Sequence, residues 1–227
     1  IGRKCERELY YSFRWFRRPS FAGRMLRLFD RGHKEEFRFV AYLRSIGINV
    51  REYSQSLWYH AESDDYVAID WADENEMARV AVQGLNEVTG DEFHVRRAKE
   101  RGLELKQWRI LDVMGHFGGS LDGLADAPFP IPILEIRNAQ WYDTGEVIPA
   151  NEEFLTEFKT HNTKSFGHLV LNGVKEAKPV HWHQMQTYMG KRGLRFAMYV
   201  AVNKNDDDLH IEIVKYDGGE ALSGNLE

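Results

Sequence analysis

Cysteine is almost absent from this 227-residue chain: Cys5 stands alone. A single thiol rules out any intramolecular disulfide, and with it an intrachain zinc or iron–sulfur site built on several cysteines. A reducing compartment, the cytoplasm, is the natural expectation. Long apolar runs are missing as well; none approaches the roughly 18 residues that a membrane-spanning helix requires. Nor does a basic start lead into an apolar stretch, as in a secretory leader. The chain opens on Ile1 rather than Met, and its natural start is expected to lie upstream. Proline is scarce, and four of the six, Pro128, Pro130, Pro132 and Pro149, fall in one stretch. Residues 127–149 therefore read as loop, with one strand near Ile133–Arg137. Repeats, low-complexity tracts and an interdomain linker are also lacking.

What is present suits one sizeable core. Apolar residues make up 43% of the chain and six are tryptophan, which argues against disorder and for a single domain over 1–227. Charge is unevenly placed. The whole chain carries −5, yet residues 1–34 hold ten basic residues against Glu6, Glu8 and Asp30, a local +7 that leaves −12 for the remainder. Such asymmetry points to a polyanionic partner, or else to the solvated faces of two helices.

Residues 4–16 read as a helix interleaving Leu9, Tyr10, Phe13 and Phe16 with Arg7 and Arg14, and Arg17 follows it; Pro19-Ser20 breaks the chain. A long helix is expected from Phe21 to Ile46 on the stripe Phe21, Met25, Leu28, Phe29, Val40, Leu43 and Ile46, with Gly47 as its stop. Glu36 falls near the centre of that stripe and Glu35 nearer its edge. A carboxylate so placed is costly to desolvate unless a cation or a donor meets it. Short strands are expected at Ile48–Tyr53 and Ser56–Tyr59, and residues 73–105 form a helical insertion with helices at Glu74–Leu85 and Asp91–Arg101. A hairpin pairs Gln107–Leu111 with His116–Leu124. Phe154–Thr160 is a strand, followed by helices at Lys164–Leu171 and Lys178–Arg192. Arg195–Val202, apolar on both faces, is a central strand, and Leu209–Tyr216 a more peripheral one. The order of elements gives an α/β domain with a central mixed sheet flanked by helices and a basic helical segment over 1–47.

The chemistry-bearing residues are Asp122, in Gly119-Ser120-Leu121-Asp122-Gly123, and the pair Glu157 and Lys159. Residues two apart in a strand share a face, so Glu157 and Lys159 project together. If the strand of Asp122 lies alongside, two carboxylates meet, and a divalent ion relieves their repulsion. Hard oxygen ligands of this kind suit Mg²⁺ or Mn²⁺. Such an ion activates water and polarises a phosphate, while Lys159 orients the water or offsets charge on the phosphate. An E-x-K triplet alone is weak evidence, since most are solvated strand faces. Here Glu157 sits in an otherwise apolar strand and Glu36 on an apolar helix face.

Together with Gly32-His33-Lys34-Glu35-Glu36 on a helix and Gln184-Met185-Gln186-Thr187-Tyr188 on another, these motifs resemble the PD-(D/E)XK nuclease superfamily, in its phage-exonuclease and RecB-like branch, similar to lambda exonuclease. The opening Ile1-Gly2-Arg3-Lys4-Cys5-Glu6-Arg7 with Tyr10-Tyr11 is also similar, and only about 73–105 has no counterpart. The resemblance implies a restriction-endonuclease-like core. It implies that Asp122, Glu157 and the Phe158 carbonyl bind the catalytic metal, that Glu36 completes the site or helps hold a second ion, and that Lys159 assists the attacking water. Gln184 and Tyr188 would line the site or touch DNA. His33 is a further candidate ligand, since RecB-like relatives use a histidine on this helix. Ser120, His161 at the rim, Arg14 and Arg17 are candidate substrate contacts. CRISPR-associated members with similar openings hold an iron–sulfur cluster on four cysteines, which this chain cannot supply.

His181-Trp182-His183 offers no third zinc ligand and reads as DNA-facing or structural, and the aspartates of 203–208 as a solvated turn. The expected activity is a metal-dependent DNA nuclease, an exonuclease of phage recombination, replication or host-DNA breakdown, acting in the host cytoplasm. A structure-specific or restriction-like endonuclease is the rival within enzymes, and a non-catalytic DNA-binding module the rival outside them. A homo-oligomer and a recombination or single-strand annealing partner fit the same resemblance.

Overall fold

The computed structural model describes residues 22–112, 117–137 and 140–218; the expected helix over 4–16, with Arg14 and Arg17, lies outside them. The first helix of these residues, α1, spans Gly23–Ser45. Its end is set by Gly47, at φ +86°, where the Ile48 amide donates to Leu43 O and the Gly47 amide to Arg44 O, both at 3.0 Å. That double closure needs a left-handed residue, which glycine adopts without a Cβ penalty. Ile48 and Leu43 then share one core.

The central sheet has five strands in the order β1 (Asn49–Arg51), β7 (Gly123–Asp126), β10 (Phe154–His161), β11 (Phe196–Asn203) and β12 (Leu209–Lys215). Only β10 and β11 are parallel, so the sheet is mixed and the fold α/β. Their crossover consists of α4 (Thr163–Ala177) and α5 (Pro179–Arg192). The Asn162 side chain caps the first of these, and Pro179 opens the second, the position where proline's missing N–H costs nothing. Alternation along β10 divides two cores. Phe154 and Phe158 pack with Phe39, Val40 and Leu43 of α1, whereas Leu155 packs with Phe166, Leu169, Trp182 and Met185 of α4 and α5. The sheet is thus covered by α1 on one face and by the crossover helices on the other.

Between β1 and β5 (Arg109–Asp112) the chain builds a smaller unit. A three-stranded sheet, β3 (Asp65–Asp70), β2 (Gln55–His60) and β4 (Asn86–Glu87), accompanies α2 (Glu74–Val82) and α3 (Glu92–Glu100). Asp73 and Asp91 accept amide hydrogen bonds at the two helix starts. Residues 73–105 are therefore helical with one short strand, and β3, which carries acids at both ends, was not anticipated.

Three further expectations are corrected. The supposed arm His116–Leu124 is two strands: β6 (Phe117–Ser120) pairs with β5, the chain bends at Leu121-Asp122, and β7 joins the central sheet. The supposed loop 127–149 is a hairpin of β8 (Ile131–Arg137) and β9 (Gln140–Ile148), with a register irregularity between Pro132 and Leu134 that accommodates the missing amide donor. The stripe of α1 is buried only in its second half. Met25, Leu28 and Phe29 are exposed in the first half and Ile46 just past the last turn, and Glu35 is more buried than Glu36; the helix joins the core beneath the sheet through Phe39, Val40 and Leu43. No helix among the described residues is long and apolar enough to cross a membrane.

Candidate active site

β10 delivers Glu157 and Lys159 to the α5 side of the sheet, in register with Tyr199 and Ala201 of β11. On the other flank, β7 pairs with β10 only as far as Gly123 opposite Thr156. One rung further the backbone ladder has ended, and the Asp122 carboxylate takes its place: Phe158 N donates to Asp122 Oδ2 at 2.8 Å. Gly123 lets β7 lie this close to β10, since a Cβ there would come within 2.7 Å of Thr156 Oγ1. The bend that divides β6 from β7 thus aims Asp122 at β10.

Lys159 gathers the site. Its ammonium donates to Asp122 Oδ2 at 3.3 Å and to the Phe158 carbonyl at 3.0 Å, and it forms a close ion pair with Glu157 Oε1. Glu157 has no solvent exposure, whereas the Asp122 and Lys159 side chains are 22% and 26% exposed. Burial pushes the Glu157 carboxyl above its ordinary range; the Lys159 ammonium opposes this, and the nearby Asp122 charge adds to it. Burial alone would lower the Lys159 ammonium, but Glu157 and Asp122 more than reverse that and hold it protonated.

α5 lines the same place at helical spacing. Gln184 Nε2 reaches Glu157 Oε2 at 3.5 Å. Tyr188, one turn on, lies so close over Gly119 that any side chain at 119 would collide with its hydroxyl. His181, one turn earlier, meets Tyr199 OH at 2.8 Å through Nδ1, and His161 Nε2 meets the same hydroxyl at 2.9 Å. His161 is buried rather than at the rim, its Nδ1 3.1 Å from Ser165 Oγ. Burial holds His161 down at about 4 and His181 at about 3, with Lys159 and Lys178 adding to both.

On the α1 side, a cavity of about 430 Å³ opens beside Lys159, lined by Glu36, His33, Leu28, Phe29, Phe39 and Phe158 among others. Burial raises the Glu36 carboxyl and Asp122 raises it further; His33 and Lys159 offset part of this. His33 Nδ1 approaches Glu36 Oε2 at 3.4 Å, and its own side chain is 68% exposed. The fold therefore brings Glu36, Asp122, Glu157, Phe158, Lys159, Gln184 and Tyr188 to one place. Ser120 ends β6 two residues before Asp122.

Three polar groups near this centre escaped the sequence reading. Tyr199 lies in a fully buried strand that looked purely apolar, and nothing in its neighbourhood along the chain sets it apart. Thr156 Oγ1 is buried without a hydrogen-bond partner. Glu52 carried a usable signal: it follows Ile48 and Val50 at two-residue spacing, which places an acid on an apolar face. It is buried, its Oε2 unpartnered, and burial pushes it up to about 7, against the opposing Arg44 charge.

Among the described residues, no group of three or more His, Cys, Asp or Glu side chains sits close enough to hold a metal ion by itself. The donor set around Lys159 is of another composition: two carboxylates and one main-chain carbonyl, all hard oxygens, already converging on a single cationic point. That chemistry fits Mg²⁺ or Mn²⁺, which keep several waters and take few protein ligands. No protein-family model, curated protein or solved structure matches the chain.

Proposed function

We propose that the chain is a divalent-metal-dependent deoxyribonuclease with a restriction-endonuclease-like core of the PD-(D/E)XK type, acting as an exonuclease. The observation that carries this reading is the convergence of Asp122 Oδ2, Glu157 Oε1 and the Phe158 carbonyl on one cation, the Lys159 ammonium. An acid pair held against an amine on a rigid strand has no purpose in a module that only binds DNA.

Asp122, Glu157 and the Phe158 carbonyl would hold Mg²⁺ or Mn²⁺, which supplies an activated water and polarises the scissile phosphate. Lys159 offsets the negative charge that grows on the phosphate and orients the attacking water. Gln184 steadies the Glu157 carboxylate, and Glu36 faces the cavity where a second ion or an ordered water would sit. DNA is the proposed partner because the basic stretch of residues 1–34 reaches into α1, where Arg24 and Arg27 are exposed, while Arg31 donates to Lys204 O and Lys34 pairs with Asp30.

Incubation with Mg²⁺ and linear, covalently closed circular, or 5′- or 3′-blocked DNA tests the proposal. Linear DNA should be shortened from one end and closed circles spared, with both Asp122→Asn and Glu157→Gln slowing cleavage by about 10³-fold or more while leaving DNA binding in place. Cleavage of closed circles would make the enzyme an endonuclease. Failure of the wild-type chain to cut any of these substrates would remove the nuclease reading.

A further inference from the structure

Apart from Glu52, the unit formed by residues 52–105 contributes nothing to the centre just described, and a cleft lies along its border, where residues 103–109 lead into β5. The cleft has a volume of about 810 Å³ and runs from Tyr53 and Ser54 along 103–109 to Val95 and Lys99 of α3. Its wall is of two kinds. Lys99, Lys106 and Arg109 are exposed cations, and the single acid, Glu104, is spent on Lys99 at 3.8 Å. Among the described residues, the Lys106 and Arg109 side chains are engaged by no acid or other acceptor. Between the cations, Val95, Leu103 and Leu105 are half-buried and offer apolar surface.

The cleft is joined to the candidate active site through the backbone. Arg109 pairs with Ser120 across the hairpin, and Leu121 N donates to Trp108 O at 3.0 Å; the next residue is Asp122. The Arg109 end of the cleft therefore adjoins the segment that carries Asp122, the carboxylate that meets Lys159. Two unengaged cations beside a wall that holds two aromatic rings, Tyr53 and Trp108, as well as aliphatic side chains match a single nucleic-acid strand: the phosphates meet Lys106 and Arg109 and the bases meet the wall. A duplex would keep its bases stacked inside and leave that wall unused.

We propose that this cleft is a track for a single DNA strand, with Lys106 and Arg109 on its phosphates, which makes the unit formed by residues 52–105 a strand guide for the neighbouring site. The inference rests on the nuclease reading for its biological purpose but is testable without cleavage.

Anisotropy of a fluorescent single strand of roughly 15 nucleotides, measured in EDTA over a series of salt concentrations, reads the track directly. The double variant Lys106→Gln/Arg109→Gln should bind about tenfold more weakly, and its salt slope should fall by about 1.4, near 0.7 for each lost phosphate contact on a single strand. The charge-matched control Arg79→Gln/Lys215→Gln, whose cations already face Glu76 and Glu146, should bind within about twofold of wild type. Wild-type affinity in the Lys106/Arg109 variant, or an equal loss in the control, would overturn the track. So would a blunt duplex that binds as well as the single strand and weakens equally. A wild-type chain that binds through the cleft but does not cut with Mg²⁺ would leave the track standing and remove the nuclease. A chain that cuts, with an unimpaired double variant, would do the reverse.

Discussion

Replacing Lys159 with alanine separates the two tasks that its ammonium combines, and the outcome follows from the geometry. In the protein, one cation faces Asp122, Glu157 and the Phe158 carbonyl. Lys159→Ala leaves two carboxylates together, one of them without any solvent exposure. Removing one partner of a buried ion pair costs about 3–5 kcal/mol. Because Asp122 is 22% exposed and Lys159 26%, screening lowers the expected loss to about 2–4 kcal/mol. For a chain of this length that is a fall in Tm of roughly 4–16 °C without metal. The loss should shrink at acid pH. Burial already raises the Glu157 carboxyl, and without the ammonium it rises further. A group whose folded pKa exceeds its unfolded value contributes stability at low pH and loses it as pH climbs through the folded pKa. The variant should therefore be closest to wild type near pH 5 and furthest from it near pH 8. Mg²⁺ supplies the decisive comparison. The ammonium occupies the oxygens that a divalent ion would take, so the variant should gain more from Mg²⁺ than wild type does, about 2.7 kcal/mol at a hundred times its Kd. Thermal melts with and without Mg²⁺ at the two pH values give all three quantities. A variant as stable as wild type in EDTA, or one whose Mg²⁺ response is no larger, would refute the assignment of those oxygens to a cation site.

Two further perturbations probe groups around the centre. Tyr199→Phe removes the hydroxyl that both His161 and His181 share, leaving one donor and one acceptor unpaired; at about 1–3 kcal/mol each, eased where His181 is partly accessible, the urea midpoint should report a loss of about 2–3 kcal/mol at constant m-value, and a loss under about 0.5 kcal/mol would show that the hydroxyl holds nothing. Glu52 is held up to about 7 by burial, so its contribution to stability should decline as pH rises from its ordinary value of 4.5 through 7; the difference between wild type and Glu52→Gln should follow that slope, and a flat difference would mean that Arg44 neutralises the carboxylate in the fold.

Legibility in the sequence followed the physical range of each signal. Elements whose pattern is local are placed closely: α1, with Gly47 as its stop, β10, and β11, whose apolar run reports burial on both faces. The hairpin β8–β9 was not, because β9 is exposed almost throughout and so carries no alternation, and its prolines look like breakers until Pro132 is seen beside a register irregularity. The bend at Asp122 was equally hidden. Its cause is a rung of pairing with β10, more than thirty residues away along the chain, and no local pattern encodes that. Within the site, Glu36 and Glu157 were found because an acid on an apolar face stands out. Glu52 obeys the same rule, but it lies just past the three-residue β1, where so short a strand gives little alternation to read. Tyr199 could not have been found, since its neighbours on β11 are as buried as it is.

The Asp122 carboxylate stands where a strand's own carbonyl would have continued the ladder to Phe158. It is therefore mortar in the sheet as well as a candidate ligand, and the acid cannot drift away from β10 without unzipping the edge of β7. An alanine at this position confounds lost chemistry with a frayed sheet. Asparagine keeps an oxygen for the Phe158 amide and removes only the charge, so it is the substitution that interrogates the reaction alone.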